Sequence, residues 1–93
     1  MNMPTRDKIS PRVRHNLAVI SGHDEDDIKD AADQLLARDL GLTEDLRAAL
    51  APGFEKIARD YNADASITRA ECKQLKHTKA AVDLILTRAG GTA

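Results

Sequence analysis

The sequence predicts an all-α protein, a small bundle of four or five helices with no sheet. Three observations support this fold class. Apolar residues recur three and four positions apart in each apolar segment, which is the spacing of one face of an α-helix. Hydroxyl side chains that can cap a helix stand at four predicted helix starts, namely Ser10, Thr43, Thr68 and Thr78. Residues that prefer strands are few and do not alternate with polar residues.

The composition fits one small folded domain. The chain has 93 residues and a formal net charge of −1, so little self-repulsion opposes collapse. Its single cysteine cannot form an internal disulfide, and no apolar run resembles a signal peptide or a membrane span, so we expect a cytoplasmic protein. Lys and Arg nearly balance Asp and Glu, which does not indicate a nucleic-acid partner. The one basic patch is expected to be a solvated helix face, and it consists of Arg6, Lys8, Arg12 and Arg14.

The first predicted helix starts at Ser10 and ends at Gly22, after a flexible lead over residues 1–9. Serine is a favoured cap, and Pro11 suits the first helical position. The inward face of this helix consists of Val13, Leu17 and Ile20.

The next predicted segment follows an acidic run that is typical of a helix start. Ala31-Ala-Asp-Gln-Leu-Leu36 is rich in helix formers, so we expect at least two helical turns there, ending near Gly41. A short helix is then predicted over residues 43–50. Pro52 should break it and begin another, because proline cannot donate an intrahelical bond. That later helix should turn four residues inward, Phe54, Ile57, Ala58 and Tyr61.

The last two predicted helices start at Thr68 and Thr78. Thr68 and Glu71 have the spacing of a capping box, and Cys72 follows as a small buried helix residue rather than a nucleophile. The helical domain should span residues 10–88, with a flexible tail at 89–93. The predicted core of the whole bundle comprises Val13, Leu17, Ile20, Ile28, Leu46, Phe54, Ile57, Ile67, Leu75, Val82 and Ile85.

Residues 67–85 read ITRAECKQLKHTKAAVDLI, an isoleucine entering a short helix and then a Thr-x-x-Ala-Val-Asp-x-Ile helix. This stretch resembles the closing part of an acyl carrier protein. The resemblance extends upstream over most of the chain, through Val13, Leu17, Ile20, Gly22, Asp-Asp-Ile at 26–28 and Asp-Leu-Gly-Leu at 39–42. It implies a carrier-like helical bundle.

The chain departs from that family where the phosphopantetheine arm is attached. The family has a serine at the start of its second helix, whereas Asp45 falls at that position here once one inserted residue is allowed. A carboxylate cannot form the phosphodiester, so no cofactor is expected. The sequence also has no P-loop, no glycine-rich dinucleotide turn and no serine elbow, so no enzymatic activity is expected. The resemblance then implies a module that acts by binding a partner protein. The family's acidic second helix is also missing, because Arg47, Lys56 and Arg59 are mixed with the acids, so partner choice is not carried over.

A second interpretation uses the loop that overlaps this region. Six oxygen-bearing residues occupy positions 1, 3, 5, 7, 9 and 12 of an EF-hand loop. Ala65 stands where the sharp turn of such a loop favours glycine. No second ligand pattern appears elsewhere in the chain, although EF-hands usually work in pairs. The alternative function is therefore a calcium-binding module whose ligands are Asp60, Asn62, Asp64, Ser66, Thr68 and Glu71.

Overall fold

The computed structural model describes residues 3–90, and this part of the chain forms five α-helices and one 3₁₀ turn. The all-α prediction is confirmed, since residues 3–90 contain no β-strand and only an isolated bridge between Leu35 and His77. The helices are α1 (Arg6–Ser21), α2 (Glu44–Ala48), α3 (Ala51–Arg59), α4 (Arg69–Lys73) and α5 (Thr78–Arg88), with the 3₁₀ turn at Glu25–Asp27.

The core lies among α1, α3 and α5, which pack against one another, while α2 packs mainly against α4. Phe54 is fully buried at its centre, and most of the predicted core is confirmed, with Ile20 and Leu75 only partly buried. The prediction was wrong for Leu46, whose side chain is 38% exposed. Ala48 carries the buried face of α2. Two residues along a helix correspond to about 200° of rotation, which places Leu46 on the opposite side.

The first helix starts earlier than predicted. Helix α1 begins at Arg6, Thr5 is its N-cap residue, and Pro11 lies inside the helix. Ser10 is therefore a buried helical residue rather than a cap, and Ile9 is fully buried. The burial of Ile9 and the ion pairs of the Arg6 guanidinium with two carboxylates hold the first turn in place despite the N–H that proline lacks. Residues 6–9 therefore do not form a flexible lead.

The expected helix between residues 28 and 36 is absent, and this prediction was wrong. The backbone of this segment bonds instead to the start of α5. The Thr78 hydroxyl accepts a hydrogen bond from Ala31 N at 2.9 Å and donates one to Ala31 O at 3.0 Å. Leu36 N donates to Lys76 O at 2.9 Å. These long-range bonds take groups that an α-helix would have used for itself, so helix propensity is overridden.

Two of the four predicted caps are confirmed. The hydroxyls of Thr43 and Thr68 accept from the backbone at the starts of α2 and α4, and Thr68 forms the predicted capping box with Glu71. At α5 the cap is His77, whose Nδ1 accepts from Ala80 N at 3.0 Å, because the Thr78 hydroxyl is already bonded to the 31–36 segment.

The predicted flexible tail at residues 89–93 starts one residue too early. Ala89 is buried against the core, so the last apolar contact lies inside the predicted tail. The last three residues of that tail, 91–93, lie outside the described part of the chain.

The predicted break at Pro52 is confirmed, since α2 ends at Ala48 and α3 begins at Ala51, with proline in its first turn.

Candidate functional site

An open groove lies between α2, α4 and the segment at residues 35–38. Its volume is about 590 Å³. Leu35 and Leu75 are both half-buried and give the groove its apolar part, while most of the other lining side chains are exposed. We call this surface the α2–α4 groove, and it is lined by Leu35, Ala37, Arg38, Glu44, Arg47, Lys73, Gln74, Leu75 and Lys76.

The walls of the α2–α4 groove are tied together by hydrogen bonds to backbone carbonyls. Arg47 Nε donates to Lys73 O at 3.2 Å, which joins α2 to the end of α4. Arg47 Nη1 donates to Leu42 O at 2.6 Å. The third wall is joined to the residues after α4 by Leu36 N, which donates to Lys76 O at 2.9 Å, and within that wall Asp39 Oδ2 accepts from Leu35 N at 2.7 Å. These bonds fix the relative positions of three chain segments, so the groove is a formed feature of the fold.

Asp39 also pairs with Arg38 on the same wall, with Arg38 Nε 2.9 Å from Asp39 Oδ1. The hydrogen bond that Arg38 donates to the Asp39 carboxylate raises the pKa of Arg38. The bond from Arg38, followed by the bond from the Leu35 N–H, lowers the pKa of Asp39. The carboxylate of Asp39 therefore compensates the charge of Arg38, whereas Arg47 bonds only to carbonyls.

Asp45 lies in the first turn of α2, exposed to solvent. The neighbouring hydroxyl, Thr43 Oγ1, accepts a hydrogen bond from Leu46 N at 3.3 Å and serves as the helix cap. The position that the family resemblance assigns to the arm-bearing serine therefore presents a carboxylate, and the nearest hydroxyl has a structural role.

The six residues of the EF-hand-like pattern lie in the 60–71 segment, which forms ion pairs with side chains of α1 and α5. The carboxylate of Asp60 pairs with Arg12 of α1 at 2.6 Å. Asn62 Nδ2 donates to Arg88 O at 3.0 Å, and Asn62 Oδ1 accepts from Asp64 N at 3.2 Å. Asp64 and Ser66 are exposed. Among residues 3–90, no three His, Cys, Asp or Glu side chains are grouped so that they could hold a metal ion.

At the end of the 60–71 segment, Ser66 and Glu71 bind the guanidinium of Arg88. Arg88 Nη1 donates to Glu71 Oε1 at 2.9 Å and to Ser66 O at 2.7 Å, and Arg88 Nη2 pairs with Glu71 Oε2. The hydrogen bond from Arg88, followed by that from the Thr68 N–H, lowers the pKa of Glu71 to about 2. Glu71 is one of the six calcium ligands predicted from the sequence, at position 12 of the loop, and here its two oxygens bond Arg88 and the capping box.

The turn at Ala65 is built without the backbone conformation that favours glycine. Ala65 N donates to Asn62 O at 2.9 Å, which closes a tight turn, and Ala65 is buried. Within residues 3–90, only glycines have a positive φ. Arg59 Nε donates to Ala65 O at 2.9 Å. Alanine is therefore unstrained at this position.

Cys72 lies in the core, and His15 and His77 each bond to another group. Cys72 is fully buried, and burial, with a smaller contribution from Glu71, raises the pKa of its thiol to about 11. A protonated thiol without access to solvent is a poor nucleophile. The burial of Cys72 confirms the prediction that it is a core residue. His15 is exposed and bonds Glu25 at 2.8 Å, and His77 caps α5.

Comparisons of the chain with models of protein families, with curated proteins and with solved structures give no match. Among the described residues, no helix has the length and apolar character needed to cross a membrane.

Sequence reasoning missed Arg88 and the α2–α4 groove. Arg88 lies 17 positions from Glu71, beyond the range of any helical pairing rule. The basic residues on both sides of Leu75 were the one signal for the groove, but its other walls come from distant parts of the chain.

Proposed function

We propose that this chain is a carrier-like helical module without a phosphopantetheine arm, and that it acts by binding a partner protein in the α2–α4 groove. The groove itself carries the proposal. Leu35 and Leu75 offer apolar surface inside an otherwise polar rim, an arrangement that is typical of protein-binding surfaces.

The openness of the groove favours a protein over a small molecule. Pockets for small molecules enclose about 70–90% of the ligand surface. Most side chains that line this groove are themselves exposed, so a small ligand would keep much of its surface in water. A protein segment could cover the two leucines and extend beyond the groove on both sides.

The absence of an arm is supported by the residue at position 45. The Asp45 carboxylate offers no hydroxyl to a phosphopantetheinyl transferase, and as an acid in the first turn it stabilises the start of α2 by about 0.3–1 kcal/mol. Co-expression with a broad-specificity transferase should leave the intact mass unchanged. A pantetheine adduct on Thr43 or on any serine would contradict this part of the proposal.

Partner binding is tested by blocking the groove without changing charge. Gln74 is exposed and lines the groove, so Gln74→Trp should fill it. Thr87→Trp is the matched control, because Thr87 is exposed in the last turn of α5 and does not line the groove. A protein captured from a cell extract would be purified, and its affinity for each variant measured by calorimetry.

We expect Gln74→Trp to weaken that complex at least about tenfold, while Thr87→Trp leaves it unchanged. Circular dichroism of both variants checks that the bundle is folded. A partner that binds both variants equally, or the failure of any protein to bind the unaltered chain, would overturn the proposal.

A further inference from the structure

The charge of the α2–α4 groove is opposite in sign to that of the whole chain. Its lining contains four cationic side chains and a single carboxylate, that of Glu44. The chain as a whole has a formal net charge of −1. Positive charge therefore exceeds negative charge at this surface, and its four cations are Arg38, Arg47, Lys73 and Lys76.

Three of these cations are not compensated by acids within the described residues. Arg38 pairs with Asp39. Arg47 donates to two backbone carbonyls, which hold its guanidinium in place without neutralising it. Within residues 3–90, no carboxylate forms an ion pair with Arg47, Lys73 or Lys76. Their positive potential is therefore directed at whatever enters the groove.

The apolar residues select among anionic occupants. Leu35 and Leu75 lie half-buried between the cations, so an occupant gains most if it carries apolar side chains next to its negative charge. No aromatic side chain lines the groove, which removes the stacking surface that single-stranded nucleic acid uses. The surface is concave, whereas a lipid bilayer is flat on this scale.

We propose that the α2–α4 groove binds an acidic amphipathic segment of a partner protein, with leucine-like side chains covering Leu35 and Leu75 and Asp or Glu side chains facing Arg47, Lys73 and Lys76. This inference rests on the proposed function and specifies the chemistry of its partner. Electrostatic attraction of this kind speeds association and sets specificity, so binding weakens as salt is added.

The probe is a synthetic amphipathic helix of about 15 residues, long enough to be partly helical, with leucines on one face and glutamates on its flanks. A second peptide has glutamine in place of every glutamate. Binding is measured by amide chemical-shift changes in the full chain, at about 0.05 M and about 0.5 M salt. Single-stranded oligouridine and vesicles of anionic phospholipid are tested in the same way.

The matched variants are Lys73→Glu and Lys56→Glu. Both lysines are exposed and lie in the last turn of a helix, and each change alters the net charge equally, but only Lys73 lines the groove. We expect the glutamate peptide to shift groove amides, to bind about five- to tenfold more weakly to Lys73→Glu, and to keep its affinity for Lys56→Glu.

The glutamine peptide should bind much more weakly than the glutamate peptide, and high salt should remove the difference. Equal affinities for the two peptides, or equal losses in the two lysine variants, would overturn the acidic-segment inference. Tighter groove binding of oligouridine or vesicles would overturn it in favour of that ligand. In each case the Gln74→Trp result would still stand, because that variant tests use of the groove independently of charge.

Discussion

Replacing Glu71 with glutamine tests how the 60–71 segment is held. Glutamine keeps an oxygen that can accept from Thr68 N, a bond that Glu71 makes at 3.1 Å, so the capping box survives. What is lost is the negative charge opposite Arg88. The change therefore isolates the ion pair from the helix cap.

The magnitude follows from the pKa of Glu71. A fall from the ordinary 4.5 to about 2 corresponds to a ceiling of about 3.4 kcal/mol, at about 1.36 kcal/mol for each pH unit. The side chains of Arg88 and Glu71 are 36% and 31% exposed. Solvent screening at that exposure reduces the expected loss to about 1 kcal/mol in the free energy of unfolding.

The same pair predicts a pH dependence with a definite sign. Because the pKa of Glu71 is lower in the folded state, its contribution is fully present above about pH 4.5 and is lost as the pH falls towards 2. Glu71→Gln lacks this contribution. The stabilities of the two proteins should therefore differ at neutral pH and converge in acid.

The assay is urea unfolding followed by far-ultraviolet circular dichroism, at neutral pH and at steps down to about pH 2. Glu44→Gln is the matched control, because Glu44 is also an acid in the first turn of a five-residue helix and has no Arg88 opposite it. It should cost only a few tenths of a kcal/mol. Equal losses in the two variants, or a constant difference from neutral pH to acid, would refute the role given to the ion pair.

Three further predictions concern stability and metal binding. Thr78→Val should lower the free energy of unfolding by about 1–3 kcal/mol, because Ala31 N loses its buried acceptor. Thr87→Val, at an exposed site on the same helix, should be nearly neutral in the same urea titration, and equal effects would contradict the argument. Arg6→Gln should lower the melting temperature, because it breaks ion pairs to two other segments, whereas an unchanged melting temperature would indicate a loose first turn. Calcium at about 1 mM, the weak end of EF-hand affinity, should leave Tyr61 fluorescence unchanged, since the carboxylate of Glu71, the ligand at position 12 of the loop, is bonded to Arg88. A saturable response that Glu71→Gln abolishes would support the calcium function instead.

The sequence alone determined the features that depend on neighbouring residues. Helical spacing, the caps at Thr43 and Thr68 and the break at Pro52 involve groups no more than about four positions apart, and outside residues 28–36 these features are present. Such interactions are the same in any context in which the segment is helical. For that reason the all-α class could be predicted correctly.

The candidate sites divide in the same way. The carboxylate at Asp45 and the six oxygen-bearing residues of the 60–71 segment could be read from the chain, since both depend on spacing. The groups that contact these residues in the folded protein could not be predicted from the sequence. Arg88 reaches Glu71 and Ser66 from another helix, and the groove brings residues 35–47 against residues 73–76.

Only the tertiary structure decided where local preference and long-range bonding compete. The 28–36 segment has good helix formers, yet its backbone groups bond to the start of α5, and Thr78 serves that contact instead of capping its own helix. Helix propensity amounts to less than about 1 kcal/mol per residue. A buried polar group left without a partner costs about 1–3 kcal/mol. The long-range hydrogen bonds therefore outweigh the helix propensity of the 28–36 segment.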